Sequence, residues 1–445
     1  MRIQIILGLW LTASATAQSY STNGDEQLAG YIARAVENNP AVTESFARYR
    51  SSLQRLPQVS ALPDPMIGVT QFARSPETRV GPQTAMLSVS QRFPWFGKLS
   101  DREKVAAKEA AVLAALHEAD KAEVVRQVKL AYYDLAYLDS AAAITNEDVE
   151  LLRHYETLAE VRYAQGLGLQ QAALKLQAEI TRGLNRLEIF QRQRVDAEAV
   201  LNKLMDRQVD APLARVKLPA VPAGVPDTDR LYALARQRRP EIEAAFQQIE
   251  GDEKRIHLAR KQYRPDFTVG ADFTNVLGRR DPAGRMLPPP GNGKNIYSVT
   301  VGVNLPIFRR KYDAGVLEAT ERFLASKAGY RRQVNQAEVT IRSATFRLES
   351  IRRQISLFEN ALLPQAGQAL RSSEAAYSTG SLSVLELLDS ERVLLDVRLG
   401  LAQMRGDYMK ALAETERATG AAFPEEKPPA ADAPLPEAKP LLEEK

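Results

Sequence analysis

The chain has 445 residues, no cysteine and three histidines, His117, His154 and His257, which removes disulfide frameworks, thiolate metal sites and cysteine nucleophiles. Its 59 Lys and Arg against 55 Asp and Glu leave a formal charge of +4 with the signs intermixed, so nucleic-acid binding has no compositional support. A chain without thiols also suits an oxidising compartment, where nothing can mispair.

Arg2, an apolar run from Ile3 to Leu11 and then Ala15-Thr16-Ala17 give a charged start, a short apolar stretch and an A-x-A site. That is the pattern of a secretory signal peptide over residues 1–17. No cysteine follows the cut, so a lipid-anchored form is not expected. Beyond it no apolar run reaches the ~18 residues of a transmembrane helix. Any membrane span of the exported chain is therefore expected to be a β-barrel.

The rest reads as one unit written twice. Pro40, Pro94 and Gly166 find counterparts in Pro240, Pro306 and Gly380, shifted by 200, 212 and 214 residues. A first repeat over 18–210 and a second over 227–420 are joined by a linker at 211–226. Strands are predicted near 66–73 and 84–92, then near 267–275 and 296–305. Phe267, Val269, Ala271 and Phe273 alternate with Thr268, Gly270, Asp272 and Thr274, and Tyr297 to Leu305 alternates likewise. Met66 to Ala73 alternates poorly. Runs with one apolar and one small polar face fit barrel strands, although a soluble half-buried hairpin looks the same locally. Val276 to Asn295, rich in Gly and Pro, reads as a mobile loop. Trp95, Phe96 and Phe308, with Tyr263, cluster where the strands return and would form an interfacial aromatic girdle.

Long helices are predicted near 100–165, 169–207, 310–378 and 382–419. The first, opened by a capping box from Ser100 to Glu103, would span about 100 Å. Its seam runs through Val124, Val128, Ala131, Leu135, Leu138, Ala142, Val149 and Leu152, with Thr145 the polar exception. Val334, Ala337, Ile341, Ala344, Leu348, Ile351, Ile355, Phe358 and Leu362 repeat that rhythm, which argues coiled-coil packing. Pro364 is expected to break or kink its helix. Gly166-Leu167-Gly168 and Gly380-Ser381 allow only tight helical hairpins. The tail at 421–445, rich in Pro and Glu, is expected to be disordered.

Four strands cannot close a transmembrane barrel, and an open sheet in lipid leaves two unpaired edges. Three copies would supply twelve strands and leave a lumen, whereas two would fill it with side chains.

The order of elements, the duplication, the stretch Phe93-Pro94-Trp95-Phe96-Gly97-Lys98-Leu99 and the Tyr-x-x-Gly tips resemble the TolC family of outer membrane efflux proteins, from about Gln27 to Gly420. The segment from Tyr377 to Asp389 is the most specific match. The resemblance implies a homotrimer with a twelve-stranded barrel in outer membrane lipid, above an α-helical tunnel. It implies a periplasmic adaptor (membrane fusion protein) and an inner-membrane pump, with the Pro-Trp-Phe-Gly-Lys stretch closest to the branch serving heavy-metal pumps of the resistance-nodulation-division type. By the same resemblance, Glu386 and Asp389 match an acidic constriction that gates and selects, with Tyr377 a packing or hydrogen-bonding candidate beside it. The tips Gly166, Leu167, Gly168, Gly380 and Ser381 match the adaptor contact. The Arg–Asp latch of the family is missing, because Leu382 and Ala172 occupy those positions. A solvated helix surface is the plainer account of the two acids.

Enzyme chemistry lacks a foothold. The histidines stand alone, with no H-x-x-E-H pattern, nucleophile elbow or Walker loop, so no catalytic, cofactor or metal site is expected. The expected function is a passive efflux conduit coupled to a pump. Its rivals are a type I secretion conduit for polypeptides, a periplasmic coiled-coil interaction protein and a general diffusion porin.

Overall fold

The structure, a computed structural model, describes residues 25–222, 224 and 227–423. The signal peptide at 1–17 and the tail from 424 onward lie outside the described residues. In chain order the elements are α1 (Glu26–Asn38), α2 (Pro40–Leu53), α3 (Arg55–Ser60), β1 (Met66–Gln71), β2 (Glu77–Thr78), β3 (Gly81–Phe93), α4 (Lys98–Ala164) and α5 (Gln170–Leu204). There follow α6 (Thr228–Arg238), α7 (Pro240–Lys261), β4 (Phe267–Val276), α8 (Pro282–Met286), β5 (Ile296–Val303), α9 (Arg309–Leu357), a π turn (Phe358–Leu362), α10 (Leu363–Thr379) and α11 (Val384–Thr419). The protein is thus mainly helical with one antiparallel sheet. Two compact units emerge, and each draws on both halves of the chain. One is made of Glu44–His117 and Pro240–Val334, the other of the described residues up to Thr43, of Glu118–Arg239 and of the described residues from Asn335 on.

The first of these holds the sheet, ordered β1-β3-β4-β5, with β2 paired only to β3. Its register sorts the side chains into two faces. Val69, Leu87, Phe273 and Tyr297 lie in one row, and Ile67, Val89, Ala271 and Val299 in the next on the same side. Gln91, Val269 and Val301, then Phe93, Phe267 and Val303, continue that face. The opposite face carries Gly68, Ser88, Asp272 and Ser298, with Ser90, Gly270 and Thr300 beside them. Asp272 there accepts hydrogen bonds from Ser298 and Thr300 at 3.2 and 3.3 Å. The weak alternation near 66–73 is explained, since Met66 falls on the polar side in register with Ser90. Ile67, Val69, Tyr297, Val299 and Val301 are all exposed.

Below the strands a buried ionic node fixes the chain. Asp266 accepts from Lys98 Nζ at 2.8 Å, from Arg92 at 2.6 Å and from the Trp95 amide at 3.0 Å. Burial acts to raise its pKa, but these donors prevail and hold it at about 2. They also correct the expected start of α4. Gly97, at φ +78°, turns the chain so that the helix begins at Lys98, leaving Ser100 inside the first turn and not at a cap. The Val276–Asn295 loop, expected to be mobile, contains α8 and is tied inward by Leu277 N–H to the Pro82 carbonyl at 2.9 Å.

The other unit is helical with two apolar cores. The larger gathers Leu28 and Ile32 of α1, Val128, Tyr132 and Leu135 of α4, Leu201 of α5, Leu231 of α6, Ile341 and Leu348 of α9, and Tyr408 and Met409 of α11. Leu213 and Val216 of the linker and Ala421 and Phe423 of the tail pack into it as well. The expected disorder therefore does not begin at residue 421, because two apolar side chains still find burial there. Pro364 does not break its helix either. The Leu363 N–H reaches back to the Phe358 carbonyl, and this wider turn accommodates the missing proline donor and its ring. Thr145, the polar exception in the α4 seam, is satisfied by its own helix through Ala141 O at 2.9 Å. The smaller core packs Val149, Leu152, Tyr155 and Ala159 of α4, Leu176 and Ile180 of α5, Leu370 and Tyr377 of α10, and Val384, Leu387 and Leu388 of α11. Gly183 permits close approach here, for a Cβ on it would sit 2.5 Å from Val149.

Candidate functional site

The two helix reversals of the helical unit use one backbone solution. After α4, Gly166 adopts φ +73°, its N–H bonds Tyr163 O at 3.0 Å, and Leu167 N–H bonds Arg162 O at 2.9 Å. After α10, Gly380 adopts φ +84°, its N–H bonds Tyr377 O at 3.1 Å, and Ser381 N–H bonds Ala376 O at 2.9 Å. Both are Schellman caps. The Tyr-x-x-Gly spacing follows, since the glycine amide returns to the carbonyl three residues back, and the left-handed conformation favours glycine.

Beyond the caps the tips differ. The first continues as Leu167, Gly168 and Leu169, with the two leucines 69% and 73% exposed, and α5 starts without a side-chain cap. In the second, Ser383 and Glu386 close a capping box at the start of α11. Glu386 Oε2 accepts from the Ser383 amide at 3.0 Å and from its hydroxyl at 2.9 Å, which lowers its pKa and keeps it ionised. Asp389 is exposed one turn on, 3.5 Å from Arg392, whose guanidinium also holds Glu179 of α5. The two acids therefore sit together in the first turns of α11, one of them also serving the helix start.

Leu382 and Ala172 are half-buried, Ala172 packed against the smaller core, and neither carries a charge. Arg162 is one of several ties between the hairpins, beside the Arg392–Glu179 pair. Its guanidinium donates to the Tyr377 and Ser378 carbonyls and lies 5.3 Å from the centroid of the buried Tyr377 ring. Nearby, the Tyr155 hydroxyl donates to Glu374, and Arg398 pairs with Glu147. Sequence reasoning missed Arg162. Its partner lies 215 residues away, and no local spacing reports such a contact.

In the sheet unit, Trp95 stacks on Phe267 with centroids 5.6 Å apart and meets Phe96 edge-on at 5.9 Å. Phe96 and Phe308 are exposed. Arg264 lies 6.0 Å from the Trp95 ring and Arg309 5.8 Å from Tyr263, which places cations among the aromatics at the strand ends. His117 shares a 2.8 Å hydrogen bond with Ser45, and His154 is exposed. Among the described residues no group of three or more His, Asp or Glu is placed to hold a metal ion. No described helix is long and apolar enough to cross a membrane.

Comparison with known proteins agrees with this architecture. Residues 231–421 match the family model described as outer membrane efflux protein. The chain is 23% identical over 269 residues to toxin and drug export protein A of Aggregatibacter actinomycetemcomitans, spanning 58% of this chain and 57% of that protein. Among solved structures it resembles the outer membrane protein VceC of Vibrio cholerae with a TM-score of 0.71 at 20% identity, over 90% of this chain and 97% of that one. CusC, solved in work on transmembrane channel formation, gives 0.73 at 18% identity, over 90% and 93%. The second half of the chain thus matches the outer membrane efflux protein family, and the chain as a whole shares the fold of these outer membrane channels.

Proposed function

We infer that the protein is one protomer of a trimeric outer-membrane duct, a passive conduit that joins an inner-membrane pump to the exterior through a periplasmic adaptor. The observation that carries this reading is the sheet. Its apolar face is exposed, its other face is small and polar, and β1 and β5 each pair on one side only. In lipid an unpaired strand edge costs several kcal/mol per backbone group. Pairing β5 of one copy with β1 of the next removes that cost and closes a wall whose apolar side meets lipid and whose Asp272 side lines water.

The helical tips are the adaptor's docking end, with Leu167 and Leu169 as its apolar contacts. Glu386 and Asp389 become acidic rings under threefold symmetry, which draw cations and repel one another. Cargo is chosen by the pump. The heavy-metal reading rests on Pro94 to Lys98 alone, whereas the export relative named above carries toxin and drug in its name.

Fractionation tests the duct. Val89→Arg places a charge on the apolar face at a cost of about 2–4 kcal/mol per copy and is expected to abolish heat-modifiable trimers in the outer membrane. Ser298→Arg, on the polar face, leaves the trimers and lowers cation conductance. A wild-type chain recovered as a soluble periplasmic monomer would sink the duct.

A further inference from the structure

One buried feature of the helical unit has no part in the duct or its acidic rings. Asp148 of α4 and Glu391 of α11 are 8% and 3% exposed and face one another in hydrogen-bond contact. Two ionised carboxylates cannot share such a contact, and one proton between them makes it attractive. Leu151, Leu370, Leu394 and Leu395 line the small cavity of about 40 Å³ beside them, so water screens the charges poorly. Glu391 Oε1 has no protein donor.

We propose that Asp148 and Glu391 form a proton-binding site, and that the shared proton clamps the first hairpin to the second until alkaline conditions remove it. This rests on the duct reading only for its consequence in the channel. The surroundings favour the proton on Glu391. From α5, Arg186 acts on Asp148 and Glu179 on both acids; from α11, Arg398 acts on Asp148 and Arg392 on Glu391. Glu147 on α4 is occupied by Arg398, and Glu374 on α10 by the Tyr155 hydroxyl. No Lys or Arg among the described residues pairs directly with either buried acid. Burial and then the facing Asp148 push Glu391 up to about 9. Burial raises Asp148 too, while the bond from Glu391 and the arginines pull it down. Glu391 therefore donates and Asp148 accepts. A divalent cation fits less well, because it needs about six oxygens and this site offers two carboxylates.

The sign of the pH effect follows from linkage. The folded state keeps a proton that the unfolded chain releases near the ordinary carboxylate range, so stability falls as pH rises from there to about 9 and then levels off. Between two hairpins, the loss appears first as separation of α4 from α11.

The test uses the full chain, in membranes, at neutral pH and at about pH 10. Infrared difference spectra of wild type against Glu391→Gln are expected to show a protonated-carboxyl carbonyl band at neutral pH that disappears in alkali. In planar bilayers, wild type opens as pH rises, and Glu391→Gln, which mimics the protonated acid, loses that response. Asp148→Asn removes the repulsion by the other route and loses it too. Absence of the band at neutral pH overturns the shared proton. A band with an undiminished pH response in both variants overturns the clamp. If wild type forms no channel at all, the duct fails while the band still decides the proton.

Discussion

Tyr163 and Tyr377 hold the same place in their tips, three residues before a left-handed glycine, yet the first is 50% exposed and the second 6%. Duplication kept the backbone and changed the surroundings. The second tip is held from several sides, by the Arg162 guanidinium over its tyrosine, by the smaller core beneath it and by the Ser383–Glu386 box behind it. The first supplies the holding arginine but itself ends in two exposed leucines. A locked tip suits a gate, and an open apolar tip suits docking. That division is what variants of paired positions can break.

Tyr377→Ala should have the largest effect. It empties a buried aromatic site, a change that costs about 3–5 kcal/mol, and removes the ring beside Arg162 while leaving the carbonyls that the guanidinium binds. Tyr163→Ala, exposed, should stay within about 0.5 kcal/mol. Thermal melts of the two variants read the contrast directly; equal shifts would dissolve the distinction between the tips. Arg162→Ala comes next. A hydrogen bond from a charged donor contributes about 1.5–3 kcal/mol, and partial exposure of this one argues for the lower end. Its readout is higher resting conductance with the fold unchanged. Leu167→Ser with Leu169→Ser should leave the melting curve almost where it was and abolish crosslinking to the adaptor. Undiminished crosslinking would move the docking surface elsewhere.

The molecule was legible where information is local. Period-two alternation located β4 and β5, and most of the heptad seam in α4 is buried. In the second seam Ala337, Ile341, Ala344, Leu348 and Ile355 are buried, whereas Val334, Ile351, Phe358 and Leu362 are only half so. The Tyr-x-x-Gly spacing marked both caps because the Schellman bonds join neighbours. What stayed hidden joins residues far apart in the chain. Arg162 reaches Tyr377, Asp148 meets Glu391 and Asp266 gathers Arg92 and Lys98. None of these has a spacing to read. The π turn before Pro364 shows the other kind of miss, in which a local rule is right about strain but the helix relieves it by widening. The motif Ser-x-x-Glu shows a third kind. It occurs at Ser100–Glu103, where the helix start is expected, and at Ser383–Glu386, where the box is found. Lys98, drawn under the sheet by Asp266, starts α4 early and turns Ser100 into an ordinary helical residue. Ser383 has no such competitor.

That second box makes Glu386 the most ambiguous residue of the site, because closing the helix start and charging a ring both use the same carboxylate. Substitution by Ala removes both functions and cannot separate them. Glu386→Gln can, since glutamine also closes a capping box but carries no charge. Glu386→Gln should keep the wild-type melting temperature and proteolytic resistance at the tip. It should weaken cation preference, most clearly at low salt, where screening is least. Glu386→Ala should add fraying of the first turn of α11 to that loss. If Gln leaves selectivity untouched while Ala frays the helix, Glu386 is a cap only, and any acidic ring belongs to Asp389, whose exposed carboxylate has Arg392 beside it and no part in the box.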